Sequence, residues 1–492
     1  MTTTVSRRNQ AERDLGWLVL ALALAAGIAT RFWHLGEASL FTDEAYTFAI
    51  ASLPIPALLQ TLATADYHPP LFYLATHVLL AVEHLPLWDY RYASAPFGLV
   101  TILATWAVAR KLAGSVAAAV SALAVALSPA LITFDRIFRM YAVLVALATV
   151  SWWLLVLAQS ATGARRAWLW GGYAAVSVAL AYTHYLGLLV LACQAVYVVV
   201  HWTSARPALF AYLLTALAYL PWLGKMREQL ALGGLALGRP GFDAGLAASV
   251  RGGFIPGLPD ALFARPWALW VPLALVCAIA VAGGWIGRRT ILPYWLGVLV
   301  LGVILSVALG RNLAYFPRYL LVDIPPVAIA FGAIVAQLAA AGARIPALAA
   351  ATACVALLGV ASTNVLVDPY YQFPDWYAVN ATLRAGERPS DAVILDAAYE
   401  YLVVRNYSGF RGRTILSFMN PSDFAPILQW IAANPQRRIW YVQAQNAYWD
   451  PQLRIAASLA NRPVVLRRRF PRQAPENEVT VVLFGPAPAR RP

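Results

Sequence analysis

Ionisable side chains are rare in this sequence, yet two adjacent carboxylates follow its first apolar run. Asp43 and Glu44 stand in "FTDEAY", and Asp66 and His68 follow in the same segment, ahead of two consecutive prolines. A carboxylate in such a place can serve as the general base for an acceptor hydroxyl or amine. The pair can also simply begin a helix, because acidic side chains in a first turn complement the helix dipole. The nearby aspartate and histidine favour the catalytic interpretation.

Arginines in short segments between apolar runs are the next candidates. Arg136 and Arg139 have the i, i+3 spacing that places two side chains on one helix face. Arg311, Arg318 and Tyr319 lie together in "RNLAYFPRYLLV". Planar guanidinium groups suit a phosphate clamp. Snorkelling of the arginines to the membrane interface is the structural alternative.

A histidine between two tyrosines marks a further candidate position. His184 stands in "YTHYLG" with Tyr185 after it, and Tyr141 belongs to "RMYA". A histidine in such a turn either makes structural hydrogen bonds or contacts a ligand. The sequence contains no HExxH or CxxC motif. No cofactor is therefore expected, and a divalent metal is only a secondary alternative.

The composition excludes an ordinary soluble protein. The chain has 492 residues, of which 61% are hydrophobic and 12% charged, whereas soluble domains are about half apolar and about a quarter charged. The net charge of +14 is compatible with nucleic-acid binding. However, many arginines form short clusters between apolar runs, which is typical of membrane topology signals. The sequence therefore predicts a polytopic helical membrane protein that binds no nucleic acid.

We predict 11 membrane spans. The first apolar run is followed by "RFWH" rather than by a small-residue cleavage site, so we expect it to remain as a span. The predicted spans are 15–32, 93–109, 114–133, 140–160, 167–183, 185–203, 207–224, 267–286, 290–309, 319–340 and 346–366.

The apolar run 69–82 decides the topology. As a helix it would cover only about 21 Å, against about 30 Å of hydrocarbon. If it does not cross, every inner loop carries a basic residue, as the positive-inside rule requires. These residues are Arg110, Lys111, Arg165, Arg166, Arg206, Arg288, Arg289 and Arg344. We therefore expect a plasma-membrane protein with a cytoplasmic N-terminus and a catalytic first outer loop, 33–92.

The composition changes after residue 367. The segments "DAVILD", "RTILSF", "RRIWYVQ" and "VTVVLF" read as strands, and "DWYAVNATLRAG" reads as an amphipathic helix. This pattern predicts a soluble α/β domain over 368–492, on the outer side of the membrane, after a transmembrane domain over 1–367.

The ordered motifs resemble the GT-C superfamily, in particular glycosyltransferase family 39 and its bacterial relatives. These relatives include protein O-mannosyltransferases and lipid A aminoarabinose transferases. The resemblance is carried by "FTDEAY", "HPPLFYL", "RMYA", "YTHYLG" and "PRYLLV", in that order between residues 41 and 322. It implies a mainly α, GT-C-like membrane domain that transfers a sugar, with inversion, from a polyprenyl-phosphate carrier on the outer face.

The resemblance also implies roles for individual residues. Asp43 matches the acidic residue of the first loop that acts as base, and Glu44 would orient it or contact the sugar. His68 would line the donor pocket. The remaining implied donor and phosphate ligands are Arg136, Arg139, Tyr141, His184, Tyr185, Arg311, Arg318 and Tyr319. Where relatives often have a polar pair in the second loop, this chain has Phe134-Asp135.

Two other classes of protein remain open. A transporter or flippase of lipid-linked sugars would tend to have ionisable groups near the midplane and repeated halves. Here the charges crowd the predicted outer rim and no repeat is visible. A membrane scaffold that displays its C-terminal domain is the other class. The expected partners are a polyprenyl-phosphate sugar, membrane lipid and an acceptor that is a lipid, a glycan or a protein.

Overall fold

The structure is a computed structural model in which two compact units are distinguished by their contacts. It describes residues 2–66, 68–231, 244–308, 317–396, 400–408, 414–417, 423–444, 450, 452–473 and 478–488. The first unit comprises Met1–Leu35 and Ile50–Leu366, and the second comprises Gly36–Ala49 and Val367–Pro492. Residues 36–49, which the sequence placed in the transmembrane domain, are thus grouped with the C-terminal part of the chain.

Helices form nearly all of the first unit, as the long apolar runs predict. In chain order, with α2 crossing from the second unit into the first, they are α1 (Thr2–Phe32), α2 (Thr42–Ala51), α3 (Ile55–Ala65), α4 (Leu71–Val82), α5 (Arg91–Ala126), α6 (Pro129–Asp135), α7 (Tyr141–Ser160), α8 (Gly163–Thr183), α9 (Tyr185–Val200), α10 (Trp202–Ala205), α11 (Ala208–Ala231), α12 (Ala244–Phe254), α13 (Val271–Ile286), α14 (Leu292–Ala308), α15 (Ile324–Ala340) and α16 (Arg344–Val367). The prediction of a mainly α, polytopic membrane protein is confirmed.

The predicted number of 11 spans remains a prediction. Within the described residues, seven helical segments are long and apolar enough to cross a membrane. Helix α9 (Tyr185–Val200) is among the shorter apolar helices, with 16 residues. The segment Leu87–Ala126 counts once among the seven, although the sequence predicted two spans in it.

Helix α5 is a hairpin of two helical arms that meet at Gly114. This glycine has φ +86°, a left-handed conformation that side chains with a Cβ rarely adopt. At the start of the first arm, Arg91 donates to the carbonyl of Leu35, just past the C-terminal end of α1. Near the end of the same arm, Arg110 lies over the ring of Trp17, which is in the N-terminal part of the apolar segment of α1. The chain then returns, because Arg31 donates to the carbonyl of Ala126. The two arms therefore run along α1 in opposite directions.

This hairpin bears on whether α4 crosses the membrane. Helix α4 has 12 residues and a length of about 18 Å, which is well below the hydrocarbon thickness of about 30 Å. Both ends of α5 lie near the C-terminal end of α1. The chain between α1 and α5 therefore starts and finishes at the same end of the bundle, and a crossing by α4 is not needed to connect them. Both observations support a helix that lies in or dips into one leaflet.

The C-terminal unit contains a mixed five-stranded sheet with the order β2-β1-β3-β5-β4. Strands β1 and β2, and β1 and β3, pair in parallel, whereas β5 pairs antiparallel with both β3 and β4. The strands are β1 (Ala392–Leu395), β2 (Thr414–Ser417), β3 (Ile439–Ala444), β4 (Val464–Phe470) and β5 (Val479–Phe484). The helices are α17 (Trp376–Gly386), α18 (Tyr401–Ser408), α19 (Phe424–Ala433) and α20 (Arg454–Ser458). The predicted α/β domain is confirmed, with β4 as an addition.

Residues 36–49 join this unit through specific contacts. The hydroxyl of Ser39 donates to the carbonyl of Pro374 at 3.2 Å and accepts from the backbone N–H of Trp376 at 2.9 Å. The rings of Phe41 and Phe373 are stacked with centroids 4.2 Å apart. These contacts fix the start of α2 against the segment that leads into α17. Asp43 and Glu44, the pair predicted from the sequence, follow these contacts directly in the first turn of α2.

Candidate active site

A chain of hydrogen bonds links the segment between α3 and α4 to the segment between α6 and α7. Asp66 accepts from Nδ1 of His68 at 2.6 Å and from the hydroxyl of Tyr73 at 2.6 Å. Arg139 in turn donates from Nη1 to the Tyr73 oxygen at 3.1 Å. Asp66, Tyr73 and Arg139 are buried. The sequence predicted His68 and Arg139 as donor ligands, and the structure brings them to the two ends of one network.

The charge on Asp66 is stabilised by this network. Burial alone would raise the pKa of this carboxyl group, but the contacts with His68, the positive charge of Arg139 and the Tyr73 hydrogen bond together lower the pKa to about 2. Asp66 is therefore ionised at neutral pH. An ionised carboxylate only accepts hydrogen bonds, so Nδ1 of His68 carries the proton in their contact.

His184 lies beside His68, at the turn between α8 and α9. The two imidazole rings have centroids 5.3 Å apart. His184 is the N-cap of α9, and its Nδ1 accepts from the backbone N–H of Leu186 at 3.1 Å. Burial, followed by the positive groups His68, Arg139 and Arg318, lowers the pKa of His184 well below its usual value.

His184 is consequently a neutral hydrogen-bond donor. Because Nδ1 accepts, the single proton of the neutral ring lies on Nε2. That Nε2 atom is buried and has no hydrogen-bond partner in the described part of the chain. A buried N–H group without a partner is costly, which makes this atom a candidate ligand for a bound acceptor oxygen.

Two aromatic rings and a further arginine complete the cluster around His184. The Tyr141 ring lies 5.9 Å from the His184 ring, and the Tyr319 ring lies 5.7 Å from it. Tyr319 belongs to the 3₁₀ turn Pro317–Asp323, together with Arg318. The structure therefore brings together five of the predicted ligands, which are His68, Arg139, Tyr141, His184 and Tyr319. The positive charge of Arg318 also acts on His184.

Gln229, near the end of α11, holds the His68 segment from the other side. Its amide nitrogen donates to the carbonyls of Leu62 and His68 at 2.6 and 3.3 Å, and the amide oxygen accepts from the Tyr185 hydroxyl. The indole N–H of Trp222 also donates to that hydroxyl, at 3.2 Å. Tyr185, which was predicted to bind the donor, thus has a positioning role in the described structure.

Arg136 faces away from this cluster. Its Nη1 donates to the carbonyls of Thr30, Arg31 and Trp33 at 3.1, 3.2 and 2.7 Å. Thr30 and Arg31 belong to the last turn of α1, whose carbonyls have no intrahelical partner, and Trp33 directly follows the helix. Burial and the positive charge of Arg91 lower the pKa of Arg136 to about 10. Its role in the structure is to cap α1, which differs from the predicted phosphate clamp.

Asp135 forms a buried ion pair with Arg31. Arg31 Nε donates to Asp135 Oδ2 at 2.8 Å, and both side chains are almost completely buried. Gly98 makes room for the pair, since a Cβ at this position would lie 2.3 Å from Asp135 Oδ2. The pair joins α1, α5 and α6 at the end of the bundle where Arg136 caps α1. Asp135 therefore has a structural role.

Asp43 and Glu44 lie in the first turn of α2 and differ in environment. Glu44 is completely buried, and its Oε2 accepts from the backbone N–H of Phe41 at 2.8 Å. This contact satisfies an N-terminal donor of the helix, as in one half of a capping box. Asp43 is half-buried. The helix-start interpretation thus fits Glu44, and Asp43 is the more accessible of the two carboxylates.

Arg311 and a divalent metal are the remaining candidates from the sequence. Arg311 lies outside the described residues. Across the described ranges, no group of three or more His, Cys, Asp or Glu side chains is arranged to hold a metal ion.

The described cluster suits an anionic ligand near an apolar bundle. It offers guanidinium groups, a neutral imidazole N–H and aromatic rings, all held by connections at the ends of membrane helices. The class of protein that this fold and site define is a polytopic membrane protein with a buried cluster of arginine, histidine and tyrosine side chains at connections between its helices.

Comparison with known proteins shows which family and which folds this chain resembles. Residues 67–224 match the family described as dolichyl-phosphate-mannose-protein mannosyltransferase. The fold is similar to that of ArnT from Cupriavidus metallidurans in the apo state, with 16% identity, a TM-score of 0.52, and coverage of 96% of this chain and 98% of that chain. The same protein bound to undecaprenyl phosphate gives a TM-score of 0.50, with 16% identity over 95% of this chain and 98% of that one.

A second structural relative has the same fold. The oligosaccharyltransferase of Archaeoglobus fulgidus, in complex with zinc and sulfate, gives a TM-score of 0.53 with 14% identity, over 87% of this chain and 68% of that chain. No curated protein sequence matches this chain. The chain is thus an integral membrane protein with a GT-C-like fold, and its matched segment contains His68, Arg139 and His184.

Sequence reasoning missed two residues of the cluster. Tyr73 stands within "HPPLFYL", but an aromatic residue in an apolar run gives no signal that its hydroxyl bridges Asp66 and Arg139. Gln229 ends an apolar helix, where a polar residue is unremarkable. Asp66 was noted only as a neighbour of His68, although their spacing of two residues was a usable signal.

Proposed function

We propose that this protein is a glycosyltransferase that moves a sugar from a polyprenyl-phosphate-linked donor to an acceptor on the outer face of the membrane. The reaction proceeds with inversion, and Asp43 is the base. The observation that carries the proposal is the convergence of His68, Arg139 and His184 with the Tyr319 ring. The matched family and the GT-C fold add support, because their named members include transferases.

The cluster is suited to the leaving group of this reaction. Breaking the bond between the anomeric carbon and the phosphate oxygen leaves negative charge on a phosphate. Preorganised donors in a site with little water stabilise such charge strongly. Arg139, Arg318 and the Nε2–H of His184 would contact the phosphate oxygens, and Tyr141 and Tyr319 would line the pocket of the donor.

The acceptor requires a base on the opposite face of the sugar. An acceptor hydroxyl is a weak nucleophile until its proton is removed, and a carboxylate within hydrogen-bond reach can remove it. We assign this task to Asp43 because the family resemblance matches it to the acidic residue of the first loop that acts as base. Glu44 would then position the helix turn that presents Asp43.

The ring contacts in the cluster also support a topology in which the connections that carry its residues all lie on the same side of the membrane. The His184 ring contacts both the His68 ring and the Tyr319 ring. This supports one side of the bilayer for the three connections that carry these residues. That side is the outer one if the basic residues of the predicted inner loops follow the positive-inside rule.

The topology can be tested with single cysteines. We expect a cysteine at Trp88 and another at Asn461, in the C-terminal unit, to react with an impermeant maleimide added outside intact cells. A cysteine at Arg165 should react only after the membrane is opened. Labelling of position 88 only from the cytoplasm would contradict the outward loop 33–92.

The two predicted phosphate contacts can be tested with arginine variants. Arg139→Ala and Arg318→Ala should each weaken donor binding about tenfold to a hundredfold, because a hydrogen bond to a charged partner contributes about 1.5–3 kcal/mol. The measurement is the KM for the polyprenyl-phosphate sugar in detergent. Arg136→Ala is the matched control, since it should lower the melting temperature but leave the KM of the folded enzyme unchanged. Equal KM values for all four proteins would indicate structural arginines only.

A further inference from the structure

The two neighbouring histidines of the cluster are held in different ways. Nδ1 of His68 contacts a carboxylate, Asp66 Oδ1, at 2.6 Å. Nδ1 of His184 contacts a backbone N–H, that of Leu186, at 3.1 Å. One ring therefore donates from Nδ1 and the other accepts there. This difference decides which of the two histidines can gain and lose a proton during a reaction.

His184 cannot readily take a second proton. A proton on its Nδ1 would remove the acceptor that caps α9, and it would place a buried charge beside Arg139 and Arg318. His184 is thus suited to a constant role as an Nε2–H donor.

His68 is arranged for proton exchange. The ionised Asp66 accepts from Nδ1 of His68 in both charge states of the ring, so the exchangeable proton is the one on Nε2. Nε2 then alternates between a lone pair and an N–H group. The side chain is 14% exposed, whereas that of Asp66 is 3% exposed, so protons can return to the ring from solvent. The carbonyl of His68 is held by Gln229, which limits movement of the ring.

The proposed reaction changes the charge of the bound phosphate. The donor is a phosphodiester with one negative charge, and cleavage of its bond to the sugar produces a phosphate monoester. The dianion of such a monoester takes up a proton to become the monoanion near pH 6, in the range where imidazole groups commonly exchange protons. A proton supplied during bond cleavage would keep the product a monoanion and improve the leaving group.

On the basis of the proposed function, we propose that His68 is the general acid that protonates the leaving phosphate. The acceptor oxygen attacks the anomeric carbon and loses its proton to the base of the proposed function. As the bond between that carbon and the phosphate oxygen breaks, its electron pair goes to the oxygen, and Nε2–H of His68 delivers a proton to the departing phosphate. The base then releases its proton to water, and His68 takes one up from solvent, so the cycle closes.

The charged and titratable groups around His68 and its two neighbours are consistent with this role. The His68 ring contacts Asp66 and His184. Tyr73 and Arg139 act on Asp66, Arg139 and Arg318 act on His184, and the Tyr141 and Tyr319 rings lie next to His184. Asp66 offsets one of the two arginines, so the neutral ring leaves one net positive charge for the donor monoanion. The imidazolium form of His68 adds a second positive charge. This charge stabilises the leaving phosphate while negative charge develops on its oxygen and the proton is delivered.

Two variants separate proton donation from a purely electrostatic role. His68→Arg keeps a positive charge and a donor to Asp66 but does not release a proton near neutral pH. His68→Asn keeps a donor of similar reach without charge. We expect kcat to fall about 10²-fold in both, the loss associated with a general acid. We also expect wild-type kcat to decline at alkaline pH through a single titration that is absent from both variants.

Binding of polyprenyl phosphate, measured by thermal stabilisation, checks that both variants fold. A His68→Arg enzyme within twofold of wild-type kcat would show that charge alone matters and would overturn the inference. Persistence of the alkaline decline in folded His68→Asn would also overturn it. A wild-type protein that transfers no sugar from any polyprenyl-phosphate donor would instead refute the proposed function.

Discussion

Asp43→Asn is expected to reduce sugar transfer by about 10²–10⁴-fold, the usual loss when a general base is removed. Asparagine has the same size and can still accept a hydrogen bond, but it cannot take a proton from the acceptor. Expression and polyprenyl-phosphate binding should remain close to wild type. The measurement is turnover with a saturating lipid-linked donor, together with thermal stabilisation by polyprenyl phosphate.

Glu44→Gln is the matched control for this variant. The Glu44 side chain accepts the backbone N–H of Phe41, and a glutamine oxygen can make the same contact, so the start of α2 should be preserved. We therefore expect a much smaller loss of turnover than for Asp43→Asn. Near-normal transfer by Asp43→Asn together with an inactive Glu44→Gln would move the catalytic role to Glu44.

Asp135→Ala is expected to destabilise the membrane unit by about 3–5 kcal/mol, because it leaves the buried charge of Arg31 without its partner. Loss of the partner also removes a link between α1 and α6 close to the turn that carries Arg139. The measurement is the free energy of unfolding of the purified protein in detergent, compared with that of wild type.

A double variant tests whether the charge itself causes this loss. Arg31→Met combined with Asp135→Leu removes both charges and should recover much of the stability, since well-packed apolar pairs often replace buried ion pairs at little cost. Gly98→Ala should be harmful in the wild type, as its Cβ would lie 2.3 Å from Asp135 Oδ2. A stable Asp135→Ala protein would show that the ion pair contributes little.

Much of the fold could be predicted from the sequence because apolar runs and alternating patterns are local signals. The α/β unit is an example, since β1, β2, β3, β5 and α17 coincide with segments singled out from the sequence. Strand β4 was missed because its residues Val464 to Arg469 are exposed and include three consecutive arginines, a pattern that gives no apolar alternation. The break in α5 was anticipated as the boundary between two spans, near Gly114.

The site was predicted less completely because its geometry depends on contacts between distant segments. His68, Arg139 and His184 were identified by residue type and by the family resemblance, and the structure places them together. Arg136 shares the spacing and charge of Arg139, yet it caps α1 through three carbonyls. The sequence offers no means to tell these two arginines apart, because the partner of Arg139 lies 66 residues away and the partners of Arg136 lie more than a hundred residues away.

The most direct test of the account is transfer of a labelled sugar from a polyprenyl-phosphate donor in membranes that contain the wild-type protein, Asp43→Asn or neither. We predict that label moves from the carrier to a new product, and that free polyprenyl phosphate accumulates, only with the wild type. Label that crosses the bilayer while still attached to its carrier, equally with wild type and Asp43→Asn, would contradict the account and identify a transporter of lipid-linked sugars.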